Sequence, residues 1–243
     1  MPNPVVHFEV VGKNGGQLRD FYGSVFGWKF DVMAEMDYGI IQDASGDGIG
    51  GGIGTGEAPA SLFYIAVDDP QAYLDKAASN GGKVTMPVME IPNIVTLAQF
   101  ADPEGNVIGL VKDQPGSQPP PSDAKTGANP VTWFEIVGNS GAGLRDFYSK
   151  TFGWKFADPG EMDYAGLEND GGISGGVGTV GPGGPTQATF YVQVYDLQAT
   201  LNKIEGSGGK TVVPVTEVPG MVWFAQFADP EGSVVGLFKP VEM

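Results

Sequence analysis

Few side chains in this sequence can do chemistry, and their scarcity narrows the choices. The chain has one histidine, His7, and no cysteine. Thiolate nucleophiles, disulfides, iron–sulfur clusters and cysteine zinc sites are therefore excluded, and any Ser-His-Asp relay must run through His7. A site built from several histidines of one chain is excluded by the same count. The other candidates for acid–base work are Glu9, two residues beyond His7, and Glu135, two residues beyond Trp133. Residues two apart on a strand share a face, so each glutamate lies beside His7 or Trp133. A carboxylate aimed into a partly apolar face is costly unless something pairs with it. Glu9 and Glu135 read either as general bases or acceptors for a ligand cation or hydroxyl, with His7 assisting Glu9, or as ion-paired residues at a rim. Trp133 can stack on a flat ligand or serve as core. Tyr38 with Tyr164, and Gln99 with Gln226, recur 126 and 127 residues apart and are further ligand-binding candidates. Arg19-Asp20 and Arg145-Asp146 read as solvated helix charges, worth little as surface pairs.

Those residues sit on a pattern that occurs twice. Asn3-Pro4-Val5 through Trp28-Lys29-Phe30 returns as Asn129-Pro130-Val131 through Trp154-Lys155-Phe156, and Phe100-Ala101-Asp102-Pro103-Glu104-Gly105 returns as Phe227 to Gly232. The chain is a duplication. A first strand over Val5 to Val11 puts His7, Glu9 and Val11 on one face and Phe8 and Val10 on the other. Leu18, Phe21, Tyr22, Val25 and Phe26 fall at helical spacing and Gly27 stops the helix; Leu144, Phe147, Tyr148, Thr151 and Phe152 repeat that stripe. Strands are expected over Trp28–Met33, Tyr38–Gln42, Gly50–Thr55 and Leu62–Val67. A second helix has Asp69 as N-cap and Pro70 at its first position, and Asp196 caps its counterpart. Strands over Lys83–Met86, Val95–Ala101 and Val107–Val111 complete a half, giving βαβββ twice per half. Domain boundaries are expected at 1–113 and 129–243. Residues 114–128, with three consecutive prolines, have the composition of an extended linker.

Composition bounds the class. The 243 residues are 41% apolar, 11% aromatic and only 17% charged, with 39 glycines and 19 prolines, which fits turn-rich globular domains and not disorder. A formal charge of −16 argues against attraction to phosphate backbones or anionic lipid, and reads either as a solubilising surface or as a preference for cationic ligands. No stretch is long and apolar enough for a membrane helix and no signal peptide is readable, so a cytoplasmic protein is expected.

Two glycine runs, Gly46 to Gly51 and Gly176 to Gly181, satisfy G-x-G-x-x-G. That fingerprint needs a helix whose N-terminus meets a pyrophosphate, whereas both runs lead through Pro59 or Pro185 into a strand, so we reject a dinucleotide site. They read instead as strand and loop allowing close backbone approach.

The duplicated βαβββ unit resembles the vicinal oxygen chelate superfamily, the family of glyoxalase I, bleomycin-resistance proteins and extradiol dioxygenases. The resemblance rests on His7 in the first strand, Asp20-Phe21-Tyr22 and Phe26-Gly27-Trp28 around the first helix end, and Asp102-Pro103-Glu104-Gly105-Asn106 before the last strand. It covers both halves. The tandem arrangement, with Trp133-Phe134-Glu135 opening the second half, is similar to the glyoxalase-like actinobacterial antigen and hydroxylase group. The resemblance implies an α+β fold of two tandem vicinal-oxygen-chelate domains, each a pair of βαβββ modules forming a cupped, mostly antiparallel sheet around a small-molecule cavity. Metal-dependent members carry ligands on the first, fourth, fifth and eighth strands. Here those positions are His7, the ligand-free segment Gly50 to Gly56, Leu62 and Gly109; in the second half Trp133, Thr189 and Gly236 correspond. One imidazole cannot hold a divalent ion with useful affinity, so the expectation is no metal and no cofactor. Besides a scaffold that serves only assembly or interaction, two functions remain open. One is a metal-free binder of a small organic molecule, cationic or aromatic, as in bleomycin resistance. The other is an enzyme of lactoylglutathione-lyase, dioxygenase or hydroxylase type using His7 and Glu9. A monomer with pseudo-twofold symmetry or a homodimer is expected, with no nucleic-acid or membrane partner.

Overall fold

The computed structural model describes residues 3–41, 48–113, 129–168, 171–181 and 183–240. The expected linker, Gln42 and the start of the first glycine run lie outside the described residues. The first module is β1 (Val5–Gly12), α1 (Gly15–Phe26), β2 (Asp31–Met33), β3 (Tyr38–Ile41) and β4 (Gly50–Thr55). The second is β5 (Ala60–Ala66), α2 (Pro70–Ser79), β6 (Lys83–Ile91), β7 (Val95–Ala101) and β8 (Val107–Asp113). The third is β9 (Val131–Gly138), α3 (Gly141–Phe152), β10 (Tyr164–Gly166) and β11 (Ser174–Thr179), with a single bridge from Phe156 to Leu167 where the first module has β2. The fourth is β12 (Gln187–Gln193), α4 (Leu197–Gly206), β13 (Lys210–Val218), β14 (Val222–Ala228) and β15 (Val234–Pro240). The strands and helices make a mixed α+β fold. Both glycine runs lead from strand to strand, and no described helix is long and apolar enough to cross a membrane.

The expected strand over Trp28–Met33 begins late, at Asp31. Gly27 caps α1 in the left-handed conformation at φ 77°, which turns the chain so that Trp28 enters the core and donates its indole N–H to the Asn129 carbonyl at 2.8 Å. Its backbone is spent on that reversal and joins no ladder. The caps Asp69 and Asp196 accept the backbone N–H of Ala72 and Ala199 as their sequence positions require.

The chain gathers into two compact units. One is built mainly from the first and fourth modules, His7–Ser61 and Thr189–Met243; the other mainly from the second and third, Leu62–Pro121 and Trp133–Ala188. Within the first of these the strands run β2-β3-β4-β1 and β12-β15-β14-β13, and within the other β5-β8-β7-β6 and β10-β11-β9. In the first, Tyr22 of α1 stacks flat on Trp28, with ring centroids 5.6 Å apart, and Phe8 lies 5.2 Å from Trp28 and 4.7 Å from Phe190. In the other, Tyr148 of α3 stacks on Trp154 at 5.3 Å, and Phe134 lies 5.6 Å from Trp154 and 5.0 Å from Phe63. Each fully buried ring contributes roughly 1.5–3 kcal/mol.

The Asp-Pro-Glu-Gly motif joins the modules of each unit. Asp229 closes its own turn by accepting the N–H of Glu231 and Ser233, and accepts the Tyr22 hydroxyl of the first module at 3.1 Å. Glu231 accepts the N–H groups of Lys13 and Asn14 at 2.5 and 2.7 Å. In the other unit Asp102 accepts the Tyr148 hydroxyl at 3.0 Å and the Asn106 amide at 2.9 Å, while Glu104 accepts from Ser140 N and Asn139 Nδ2. Burial raises the pKa of both aspartates and pushes both tyrosine hydroxyls well above their ordinary range, so each tyrosine stays a neutral donor.

Candidate functional site

Each module lays one tyrosine ring across bare glycine backbone. In the first module β1 runs parallel to β4 with His7 opposite Gly50 and Glu9 opposite Gly52, and β3 runs antiparallel to β4 with Tyr38 opposite Gly54. Paired residues share a face, so His7, Glu9 and Tyr38 project from one face of the sheet while Phe8 and Val10 are buried on the other. A Cβ on Gly52 would stand 2.0 Å from the Tyr38 hydroxyl oxygen, and one on Gly54 2.6 Å from the ring. The alternating glycines of β4 are the floor on which the ring lies. The Tyr38 hydroxyl reaches the His7 Nε2 at 3.2 Å. Burial lowers the His7 pKa from 6.5 to about 4, so the imidazole is neutral at physiological pH and serves as acceptor or donor by tautomer.

The third module repeats this with a different first residue. Trp133, Glu135 and Val137 of β9 pair with Ser174, Gly176 and Gly178, and Tyr164 pairs with Gly178. The Tyr164 ring lies over Gly176 and Gly178. Its hydroxyl accepts from the Trp133 indole N–H at 3.3 Å and is hydrogen-bonded to Glu135. Burial first, then the nearby Glu135 charge, pushes this hydroxyl well above the usual tyrosine range. It is a neutral donor to the carboxylate.

In the second module Tyr64 of β5 and Gln99 of β7 both pair with Gly109 of β8, from opposite sides. The Tyr64 ring covers Gly109, where a Cβ would meet ring carbons at 2.2 and 2.4 Å, and its hydroxyl accepts from Gln99 Nε2 at 3.3 Å. The fourth module repeats this with Tyr191 over Gly236 and Gln226 donating to the Tyr191 hydroxyl at 3.0 Å. The candidates therefore group as His7–Tyr38 beside Glu9, Trp133–Tyr164–Glu135, Gln99–Tyr64 and Gln226–Tyr191. Tyr64 and Tyr191 escaped the sequence reading. The recurring Tyr on the fifth strand, opposite a recurring Gly on the eighth, was the signal that could have found them.

Arg19 and Arg145 are not solvated helix charges. Each side chain is only 12% exposed and forms an ion pair, Arg19 with Asp37 and Arg145 with Asp163. The sequence places the helix at the surface but does not reveal that Asp37 and Asp163, 18 residues on, fold back over it.

The chemistry of the donor set does not fit the metal that the family's enzymes carry. The fifth-strand position Leu62 is a buried hydrocarbon, Thr189 is buried with its hydroxyl donated to the Val234 carbonyl, and Gly109 and Gly236 lie beneath tyrosine rings that leave no room for a carboxylate. Among the described residues no three His, Cys, Asp or Glu side chains group as ligands.

The comparisons with known proteins agree with this architecture. The family model of the Glyoxalase/Bleomycin resistance protein/Dioxygenase superfamily matches residues 5–110. A glyoxylase-like domain-containing protein of Didymella fabae is 33% identical over 42% of this chain and 88% of its own length. The chain belongs to this superfamily. It is also similar to CFP32 of Mycobacterium tuberculosis, whose name refers to a glyoxylase, at 27% identity over 91% of this chain and 89% of that one. The anthracycline biosynthesis protein DnrV of Streptomyces peucetius is 25% identical over 90% and 86%. Among solved structures, the Mn(II)-bound glyoxalase of Novosphingobium aromaticivorans has a TM-score of 0.68 at 15% identity, covering 99% of this chain and 83% of that one. The 2,3-dioxygenase LapB of Pseudomonas sp. KL28 has a TM-score of 0.67 at 13% identity, covering 100% and 94%. At these identities the structural likeness speaks for the fold alone.

Proposed function

We propose that this superfamily member binds a small organic molecule on its glycine-floored tyrosine faces without a metal. The observation that carries this reading is the pair Tyr64 over Gly109, repeated by Tyr191 over Gly236, because it fills with an aromatic ring the place where a metal-dependent relative needs a carboxylate. Tyr64 and Tyr191 are buried, so the part-exposed groups a ligand would meet are His7, Glu9 and Tyr38 on one face and Trp133, Glu135 and Tyr164 on the other, aromatic rings with a few polar groups beside them, the usual composition of a small-molecule site. Glu135 beside Trp133 and Tyr164 supplies a carboxylate next to an indole face, which favours a cationic aromatic ligand. A charge of −16 adds long-range attraction for such a ligand.

Calorimetric titration in the presence of EDTA, with a panel of protonated and quaternary aromatic amines, tests the proposal. A saturable heat that is lost in Trp133→Ala and weakened at least tenfold in Glu135→Gln is expected. Flat heats and an unshifted melting temperature across the panel would contradict it.

One observation favours the enzymatic alternative: the His7 imidazole and the Tyr38 hydroxyl are within hydrogen-bond reach and Glu9 shares their face, so three groups able to carry a proton stand together. On that reading His7→Ala abolishes turnover of an activated small substrate, and unchanged turnover would rule His7 out.

A further inference from the structure

We infer that Arg19 and Arg145 are positioning residues for the two site tyrosines, each acting through a clamp on the aspartate that precedes its tyrosine. The inference rests on the reading of Tyr38 and Tyr164 as site residues. Asp37 and Asp163 adopt left-handed backbone conformations, φ 44° and 48°, which among non-glycine residues Asp and Asn tolerate best, and a set of contacts fixes each of them there. Those contacts are the same in both modules. Arg19 donates through one guanidinium nitrogen to the Asp37 carbonyl at 3.0 Å and the Ile53 carbonyl at 3.3 Å, and through the other to the Asp37 carboxylate at 2.6 Å. The Thr55 hydroxyl donates to the second carboxylate oxygen and accepts the Gly15 N–H at 3.1 Å, so the start of α1 is tied into the clamp. Arg145 donates to the Asp163 and Val177 carbonyls, both at 3.1 Å, and to the Asp163 carboxylate; Thr179 takes the other oxygen and accepts from Gly141 N. The hydrogen bonds from threonine and arginine hold both carboxylates below their ordinary pKa.

The direction of the next residue follows from this backbone. Tyr38 leaves the left-handed Asp37 onto Gly54 and Gly52, and its hydroxyl arrives at His7; Tyr164 leaves Asp163 onto Gly178 and Gly176 and arrives at Trp133. A planar fork that binds a carboxylate and two carbonyls together fixes direction as well as distance, which a lysine ammonium cannot reproduce. The guanidinium's hydrogen bonds end on the aspartate and on one strand carbonyl. Its influence passes through the aspartate.

The single histidine makes this measurable without a ligand, so the outcome is independent of whether the binding proposal holds. The imidazole nitrogen shifts of His7 are recorded by long-range proton–nitrogen NMR at pH 7 in the full chain and in Tyr38→Phe, Arg19→Ala, Arg19→Lys, Asp37→Asn and Arg145→Ala. Tyr38→Phe should move the Nε2 resonance by several ppm. Arg19→Ala should move it in the same direction, Arg19→Lys and Asp37→Asn by less, and Arg145→Ala, which removes an equal number of hydrogen bonds from the other clamp, should leave it in place while shifting the Trp133 indole N–H. Two results would overturn the inference: an unmoved His7 in Arg19→Ala, or an equal movement in Arg145→Ala, which would mark general loosening. If Arg19→Ala does not fold, Arg19→Lys and Asp37→Asn decide by the same criteria, since both keep most of the clamp's volume.

Discussion

Tyr64 lies flat on Gly109, and a single methyl group on that glycine would stand 2.2 Å from the ring. Gly109→Ala must expel the ring and break the Gln99 contact to its hydroxyl. Overpacking of this kind costs roughly 1–3 kcal/mol, which lowers the melting temperature by about 2–4 °C per kcal/mol in a chain of this size. In a Tyr64→Ala background the same substitution should cost less than about 0.5 kcal/mol, because the two residues are coupled by contact. Additive effects in the four-member melting cycle would contradict the packing.

The lowered pKa of His7 makes a signed prediction. At pH 7 the imidazole is neutral in both the folded and unfolded chain and contributes nothing. As the pH falls below 6.5 the unfolded chain takes up a proton that the folded chain refuses until about pH 4, so stability is lost across that window. The loss is about 2 kcal/mol at pH 5. His7→Gln stays neutral in both states, so the difference between the two proteins isolates this group from the carboxylates. Urea unfolding at pH 7 and pH 5 should show the wild type losing about 2 kcal/mol more than the variant; equal losses would place His7 in water.

Ser233 marks where the two clasps differ. Its hydroxyl is buried without a hydrogen-bond partner, whereas Asn106, at the matching place in the other unit, donates to Asp102 at 2.9 Å and to the Val137 carbonyl at 3.4 Å. Ser233→Asn should supply the missing donor to Asp229 and stabilise the protein by about 1 kcal/mol. A thermal melt 2–4 °C above wild type is expected, and a lower one would show that the pocket around Ser233 does not accept the larger side chain.

Local patterns carried the fold, and long-range contacts carried most of what was missed. The stripes ending at Phe26 and Phe152, the caps Asp69 and Asp196, and the alternation that separates His7 and Glu9 from Phe8 and Val10 are all short-range signals, and the structure follows them. The roles of Arg19, Glu231 and Gly109 depend on partners 18, 217 and 45 residues away, which no periodicity encodes. Repetition held a trace of them. Arg and Asp recur together at 19 and 37 and at 145 and 163, and alternate glycines recur opposite a tyrosine in both halves.

The most direct test of metal-free binding is native mass spectrometry of the untagged protein after incubation with Mn(II), Fe(II), Ni(II) and Zn(II), followed by addition of a cationic aromatic amine that gives heat in the calorimetric panel. Metal-free binding requires no stoichiometric metal and an amine adduct that survives EDTA and disappears in Trp133→Ala. A stoichiometric metal lost in His7→Ala would contradict it.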